Sequence, residues 1–249
     1  MTLINPPSRH VETFSILGIT APPLGLAYLA STLEEDGHTV KIIDASALRT
    51  SLSSIEREVR EDRPGIIGVT STTPTIRDAL ITIEAVKRAC PDALTVIGGP
   101  HATFLPSETL RKCSQLDIVC VKEGERTIRE LARAVEDRLP LSNVRGIVYR
   151  SGDHVTEAPP QPLISNLDSL PFPARHLLPM NHYTVLGKKA TVEHVVTSRG
   201  CPFICIFCAS SLLFGREFRA RSARNVIDEV EEVVSDYSPD TLEFTDDLF

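Results

Sequence analysis

From residue 1 to about residue 140 the chain keeps one rhythm, a short apolar run followed by a stretch with apolar residues at helical spacing. "TLINP" opens the series as a first strand. Leu26, Leu29, Ala30 and Leu33 then fall at i, i+3, i+4 and i+7, the stripe of an amphipathic helix. "HTVKIIDA" reads as a second strand and "SLSSIEREVRED" as a helix. "GIIGVTS" is apolar enough for a strand buried on both faces. A helix through Ile76, Ala79, Leu80 and Ile83 leads to the strand "LTVIGG". A helix near "PSETLRKC" leads to "LDIVCV", and Ile128, Leu131, Ala132 and Val135 line the helix after it. Five strands alternating with helices predict an α/β fold with a doubly wound parallel sheet.

Near residue 144 the rhythm breaks. "VRGIVYRSGDHVTEA" predicts a hairpin, and the Pro-rich "PPQPLISNLDSLPFPARHLLP" predicts a linker or strap. A second region opens with the strand "EHVVTS". Its helix has Ser222 as N-cap and carries Val226, Ile227, Val230, Val233 and Val234 on one face, and the strand "TLEFTDDLF" follows. The sequence thus divides into an α/β domain over 1–140, a hairpin and linker over 141–185, and the start of another domain over 186–249.

The net charge of −7 gives no electrostatic reason for a nucleic-acid or anionic-membrane partner, and the absence of Trp removes a stacking platform. No apolar run is long enough to span a bilayer, and the N-terminus does not resemble a secretory signal, so a cytoplasmic setting is expected. In a reducing compartment, clustered cysteines point to metal or catalysis rather than disulfides. Cys90, Cys113 and Cys120 lie singly and read as small buried hydrophobes.

Cys201, Cys205 and Cys208 are different. They share one loop, "SRGCPFICIFC", at C-x3-C-x2-C spacing with no fourth cysteine nearby. Three reduced thiols without a ligand, a zinc site and an iron–sulfur site are the alternatives. Zinc wants four ligands, and the nearest fourth, His194, sits at the far end of a strand. Soft thiolates suit iron–sulfur.

"TSRGCPFICIFC", with Phe207 just before the third cysteine, resembles the loop of radical S-adenosylmethionine enzymes. The resemblance implies that Cys201, Cys205 and Cys208 bind a [4Fe-4S] cluster and leave one iron open to S-adenosylmethionine. Reductive cleavage there releases a 5′-deoxyadenosyl radical, with an electron donor such as flavodoxin or ferredoxin. It further implies that Asp246 and Asp247, at the end of the next strand, contact the amino group of S-adenosylmethionine, although an acidic turn is an equal reading. Arg199 is read either as a charge near the cluster or as an exposed one.

The segments "NPP", "PPLGLAYLASTLEEDGHTVKIIDA", "GVTSTTPTIRDAL", "VIGGPHATFLPSETL", "DIVCVKEGERTIREL" and "LDSLPFPARHLL" match, in order, the B12-binding-domain class of radical S-adenosylmethionine enzymes. That implies a cobalamin-binding, flavodoxin-like domain followed by the start of a (β/α) partial barrel. In an open parallel sheet, ligands bind beyond the carboxyl ends of the strands. Ser71, Thr72 and Thr73 after strand three, Gly98 and Gly99 after strand four, and Glu123, Gly124 and Glu125 after strand five are therefore candidate contacts. Thr73-Pro74 also reads as a helix start, and Gly98-Gly99 as a plain turn.

One departure stands out. The loop after strand one, "NPPSRHVETFSILG", lacks the D-x-H-x-x-G motif that supplies a cobalt-ligating His in many cobalamin domains, so no protein His is expected on the lower face. His10 and His101 lie in loops on the right side of the sheet but are not assigned as ligands. The resemblance implies methyl transfer to a small-molecule substrate as the commonest outcome. With one βα unit and one further strand, the barrel looks truncated, and the chain is expected to be a poor catalyst by itself, with Val226, Val230 and Val233 left as exposed apolar surface. The contrasting reading is a non-catalytic flavodoxin-like module with a zinc or degenerate cluster site.

Overall fold

The computed structural model describes residues 1–7, 20–152, 154–185, 188–189 and 192–249. His10 and most of the loop after the first strand lie outside the described residues. Five parallel strands form the heart of the molecule: β1 (Thr2–Asn5), β2 (Lys41–Asp44), β3 (Ile66–Thr70), β4 (Leu94–Gly98) and β5 (Ile118–Cys120). They lie side by side in the order β2-β1-β3-β4-β5, the flavodoxin-like arrangement, which reverses direction of winding between β1 and β3.

Pairs of neighbouring residues explain why this sheet needs two covers. Leu3 and Ile4, Ile66 and Ile67, Val96 and Ile97, and Ile118 and Val119 project to opposite faces, and every one of these side chains is buried. On one face they meet α1 (Leu24–Glu35) and α6 (Glu125–Glu136). On the other they meet α2 (Leu52–Asp62), α3 (Ile76–Ala89), and α4 (Pro100–Phe104) with α5 (Pro106–Lys112). Each fully buried Leu or Ile contributes about 2 kcal/mol by leaving water. Ser51 caps α2 by accepting a hydrogen bond from the Ser54 amide at 3.2 Å.

The hairpin is present as β6 (Ile147–Ser151) and β7 (His154–Glu157), and it extends the parallel sheet by antiparallel pairing of β6 with β5. Helix α3 begins at Ile76 with Thr75 as its N-cap position, so Thr73-Pro74 precedes the helix rather than starting it. The Pro-rich stretch packs as a strap. Ile164, Leu167, Ala174, Leu178 and Tyr183 are buried, and the Ala174 amide donates to the Ala27 carbonyl of α1 at 3.0 Å.

After a short antiparallel pair, β8 (Thr184–Val185) with β9 (Lys188–Lys189), the second region begins. Here β10 (Val192–Val195) pairs in parallel with β13 (Thr241–Phe244), and α8 (Ala223–Tyr237) connects them. Ser222 does cap α8, accepting from the Asn225 amide at 3.2 Å. The apolar stripe of α8 is divided differently from expectation: Val233 is fully buried, whereas Ile227 and Val234 are exposed. Two-residue strands β11 (Ser198–Arg199) and β12 (Arg219–Ala220) pair antiparallel and flank the cysteine loop and α7 (Ser210–Phe214).

Two glycines make close approaches that fix this geometry. Gly99, at φ +96°, passes the chain beside Ser71, where a Cβ would lie 2.4 Å from the Ser71 carbonyl oxygen. The Ser71 amide and hydroxyl both donate to the Gly98 carbonyl at 2.9 Å, joining the loops after β3 and β4. Gly200, at φ +89°, lies against the Glu217 carbonyl in the same way at the base of the cysteine loop. Replacing Gly99 with Ala should therefore cost about 2 kcal/mol or more. Urea unfolding of G99A against the parent chain measures this, and an unchanged midpoint would show that the loop junction tolerates a side chain.

Candidate functional site

A cavity of about 350 Å³ opens at the carboxyl ends of β3, β4 and β5. Its size is that of an ordinary small-ligand site. The sheet supplies Gly68, Thr70, Val96, Gly98 and Cys120, and α1 adds Leu26, Tyr28 and Leu29. The facing wall comes from the second region, with Val196, Ser198, Arg199, Leu213, Phe214 and Asp247. Backbone at Gly98 and Gly99 borders the space directly, so a flat ligand could approach the chain without meeting a side chain there.

Four buried charges tie the two walls together. Arg199 and Arg219 stand directly opposite each other on β11 and β12, a pairing that like charges disfavour. Glu123 from the β5–α6 loop resolves the conflict. Its Oε1 lies 2.9 Å from Arg219 Nη2 and 3.4 Å from Arg199 Nη1, and its Oε2 accepts from Arg219 Nη1 at 3.1 Å and from the Ile164 amide at 2.8 Å. Glu125 accepts from Arg199 Nη2 at 2.6 Å. The Arg199 guanidinium also lies over the Tyr28 ring, 5.4 Å from its centroid. Burial works against the charge on Arg199, but the Glu125 carboxylate outweighs it and holds the guanidinium more firmly protonated than usual. Burial pushes the Tyr28 phenol up to about 12. Burial, and then the Glu125 charge, does the same to the Cys120 thiol, which stays neutral.

The residues singled out in the sequence divide sharply. Gly98, Gly99, Glu123, Gly124 and Glu125 all border the cavity, though the two glutamates are engaged by arginines. Ser71, Thr72 and Thr73 do not border it. Ser71 is fully buried against Gly98, the Thr72 hydroxyl pairs with Thr75 at 3.0 Å, and Thr73 Oγ1 lies 3.2 Å from His101 Nδ1. Asp246 is a clamp: its Oδ1 accepts from the Thr197 and Ser198 amides at 2.8 and 2.7 Å, and its Oδ2 from the Thr197 hydroxyl at 2.8 Å. Asp247 borders the cavity and accepts from Ser210 Oγ at 2.5 Å. Arg199 is not an exposed charge but is 9% exposed and paired. Cys113 is buried as expected, while Cys120 borders the cavity. Sequence reasoning missed Tyr28, Leu29, Gly68 and Lys122 as cavity residues. The stripe on α1 read as plain core, and an αL lysine carries no sequence signal.

All six cysteines are free. Cys201 is half-buried, and Cys205 and Cys208 are exposed. Phe207 is 90% exposed beside them. The Cys201 amide donates to the Gly215 carbonyl at 3.1 Å, and the Cys208 amide to the Cys205 carbonyl at 3.2 Å. Among the described residues, no group of three or more His, Cys, Asp or Glu side chains is gathered as a metal ion requires. By donor chemistry the three thiols of one loop still fit a soft metal or an iron–sulfur group. The cavity, with glycine backbone at its edge and largely apolar walls, suits the flat, apolar part of an organic cofactor. No helix among the described residues is long and apolar enough to cross a membrane.

The family model for the B12 binding domain matches residues 17–132. The chain is 41% identical over 99% of its length to an uncharacterized methyltransferase of Pyrococcus horikoshii, covering 53% of that protein. It is 32% identical over 93% of its length to the anaerobic magnesium-protoporphyrin IX monomethyl ester cyclase of Cereibacter sphaeroides, covering 38% of it. Among solved structures, the radical S-adenosylmethionine methyltransferase TsrM from Kitasatospora setae superposes with a TM-score of 0.78 at 18% identity, over 99% of this chain and 47% of that one. The chain therefore spans about half the length, or less, of these relatives. With the doubly wound sheet, the family-model match over residues 17–132 and similarity to these relatives over nearly the whole of its length, the chain carries a B12 binding domain.

Proposed function

We propose that this chain binds cobalamin in the cavity at the sheet edge and carries, on Cys201, Cys205 and Cys208, the cluster-binding loop of a cytoplasmic methyltransferase acting on a small molecule. The arrangement of the cavity supports this most. One wall is the carboxyl edge of the B12-binding domain, and the other is the segment that holds the cysteine loop. When bound, a [4Fe-4S] cluster would supply the electron for reductive cleavage of S-adenosylmethionine, and cobalamin would carry the methyl group. An electron donor such as flavodoxin or ferredoxin completes the scheme.

The chain's own residues supply position and shelter. Gly98 and Gly99 admit a flat ligand to the backbone, and Leu26, Leu29, Leu213 and Phe214 keep water from it. Arg199 and Arg219, fastened to Glu123 and Glu125, set the cysteine loop at a fixed distance from the cavity. Cys201 follows Arg199 by two residues and is closed at its base by the Gly215 carbonyl. Asp246 secures the end of β13 to the start of β11, and Asp247 offers a carboxylate to the cavity next to Ser210. Methyl transfer is favoured over ring formation because the Pyrococcus horikoshii relative, matched over 99% of this chain at 41% identity, is a methyltransferase by name, whereas the Cereibacter sphaeroides cyclase is 32% identical over 93%.

Anaerobic reconstitution with iron, sulfide and hydroxocobalamin tests both cofactors. The parent chain should take up iron and corrinoid, while C205A should lose its iron and keep its corrinoid. Metal analysis and visible spectra read the two independently, and zinc in place of iron would favour a non-catalytic module. A second outcome concerns the buried charges. Glu123→Gln strips a carboxylate from two guanidiniums and should destabilise the chain by about 3–5 kcal/mol in urea unfolding. A loss under about 1 kcal/mol, the size expected of an exposed pair, would mean that the network is not the tie between the two walls.

A further inference from the structure

One oxygen of a buried carboxylate on the cavity wall has nothing to bind. Glu125 is 5% exposed and borders the cavity, and its Oε1 accepts from Arg199 Nη2 at 2.6 Å. Its Oε2 is shut away from water and has no hydrogen-bond partner among the described residues. The Cys120 thiol feels the Glu125 charge but does not donate to that oxygen. The other buried side-chain atoms left unpaired among the described residues belong to residues that do not border the cavity.

Such a group is costly, because a carboxylate oxygen taken from water without a donor loses hydrogen bonds that nothing replaces. Native proteins keep few of them. On a cavity wall, the missing donor is best supplied by what fills the cavity.

The balance of charge decides what kind of donor fits. Glu123 and Glu125 already face Arg199 and Arg219, two against two. A further cation at Glu125 would tip that balance and sit beside the Arg199 guanidinium, so a neutral N–H suits the oxygen better. Reach narrows the choice again. A cavity of about 350 Å³ takes only part of a corrinoid. The corrin periphery carries neutral carboxamides on shorter acetamide and longer propionamide arms, and an oxygen this deeply buried calls for a longer one. We propose that Glu125 Oε2 accepts a hydrogen bond from the carboxamide N–H of one propionamide arm of the corrinoid. Glu125 then reads the ligand with one oxygen and holds Arg199 with the other. The inference rests on the cobalamin reading above. S-adenosylmethionine also carries N–H donors, and the experiment separates the two sources.

Absorbance titrations of the parent chain and E125Q at neutral pH, with hydroxocobalamin and with its b-, d- and e-monocarboxylic acids, carry the test. Each acid has one propionamide replaced by a carboxylate. The parent should bind one of the three about tenfold or more weakly than hydroxocobalamin, because two carboxylates then meet with no proton between them. In E125Q the amide oxygen stays on Arg199, which can only donate, and the NH2 group takes the place of the free oxygen. E125Q should therefore prefer that same acid to hydroxocobalamin and treat the other two acids as the parent does. A side chain needed only to hold Arg199 would weaken all four corrinoids alike in E125Q, with no reversal. If E125Q gives no cooperative melt, E125D replaces it, and its shorter carboxylate should shrink the penalty against that one acid. A parent that binds all four corrinoids equally overturns the proposal, as does uniform weakening in the variant. So does a loss of S-adenosylmethionine binding by reconstituted E125Q in equilibrium dialysis with its corrinoid preferences those of the parent. A parent chain that binds no corrinoid would instead overturn the cobalamin reading, and this inference with it.

Discussion

Two guanidiniums face each other across β11 and β12, and one glutamate from another part of the chain lies between them. Without Glu123, the antiparallel pairing that frames the cysteine loop would bring Arg199 and Arg219 together unscreened and nearly buried. With Glu123 and Glu125 the charges balance, two against two. Such a cluster is not a large net source of stability, because removing four charges from water costs several kcal/mol per ion and its attractions roughly repay that. Its value is in position. Few other arrangements of these strands would satisfy all four groups, so the cysteine loop can sit in one place relative to the sheet edge.

The cavity next to this cluster follows the rule for open parallel sheets, in which ligand space lies beyond the carboxyl ends of the strands. Its two sides do different work. The sheet side offers glycine backbone and aliphatic groups, which exclude water without fixing orientation. The polar groups come from strand ends, helix starts and loops alike, among them Thr70, Glu125, Ser198, Arg199 and Asp247. Several of those that looked available in the sequence are already committed to the protein itself. Asp246 and Ser71 each hold two segments together, and a residue so engaged shapes a site without having to touch what binds there.

The parallel sheet was legible because its strands obey a strict pattern, with apolar neighbours such as Ile66-Ile67 and Val96-Ile97 covered from both sides. The cap at Ser222 and the location of the cavity were legible for the same reason, since local chemistry and general topology decide them. The rest depended on contacts distant in sequence. Glu125 and Arg199 are separated by 74 residues, and nothing near either announces the other. Periodicity placed Val233 on the apolar side of α8 but could not say how much of that side the fold covers. The Pro-rich stretch read only as a linker or strap because prolines suppress periodicity, yet Ala174 and Leu178 join the core on the α1 face. The left-handed backbone at Lys122, φ +66°, whose amide donates to Thr103 Oγ1, is invisible to propensity.

The strap carries a second set of buried charges. Arg175 donates to Glu229 Oε1 at 2.6 Å and to the His194 carbonyl at 2.8 Å, and it lies 3.4 Å from Glu193, while Arg221 reaches the other oxygen of Glu229. These contacts pin the connector to both β10 and α8. A hinge needs residues whose torsions can change cheaply, and here any swing would expose unpaired ions. The two regions should therefore move as one body, and a guest must enter by the yielding of a small flap or side chain rather than by a jaw that gapes.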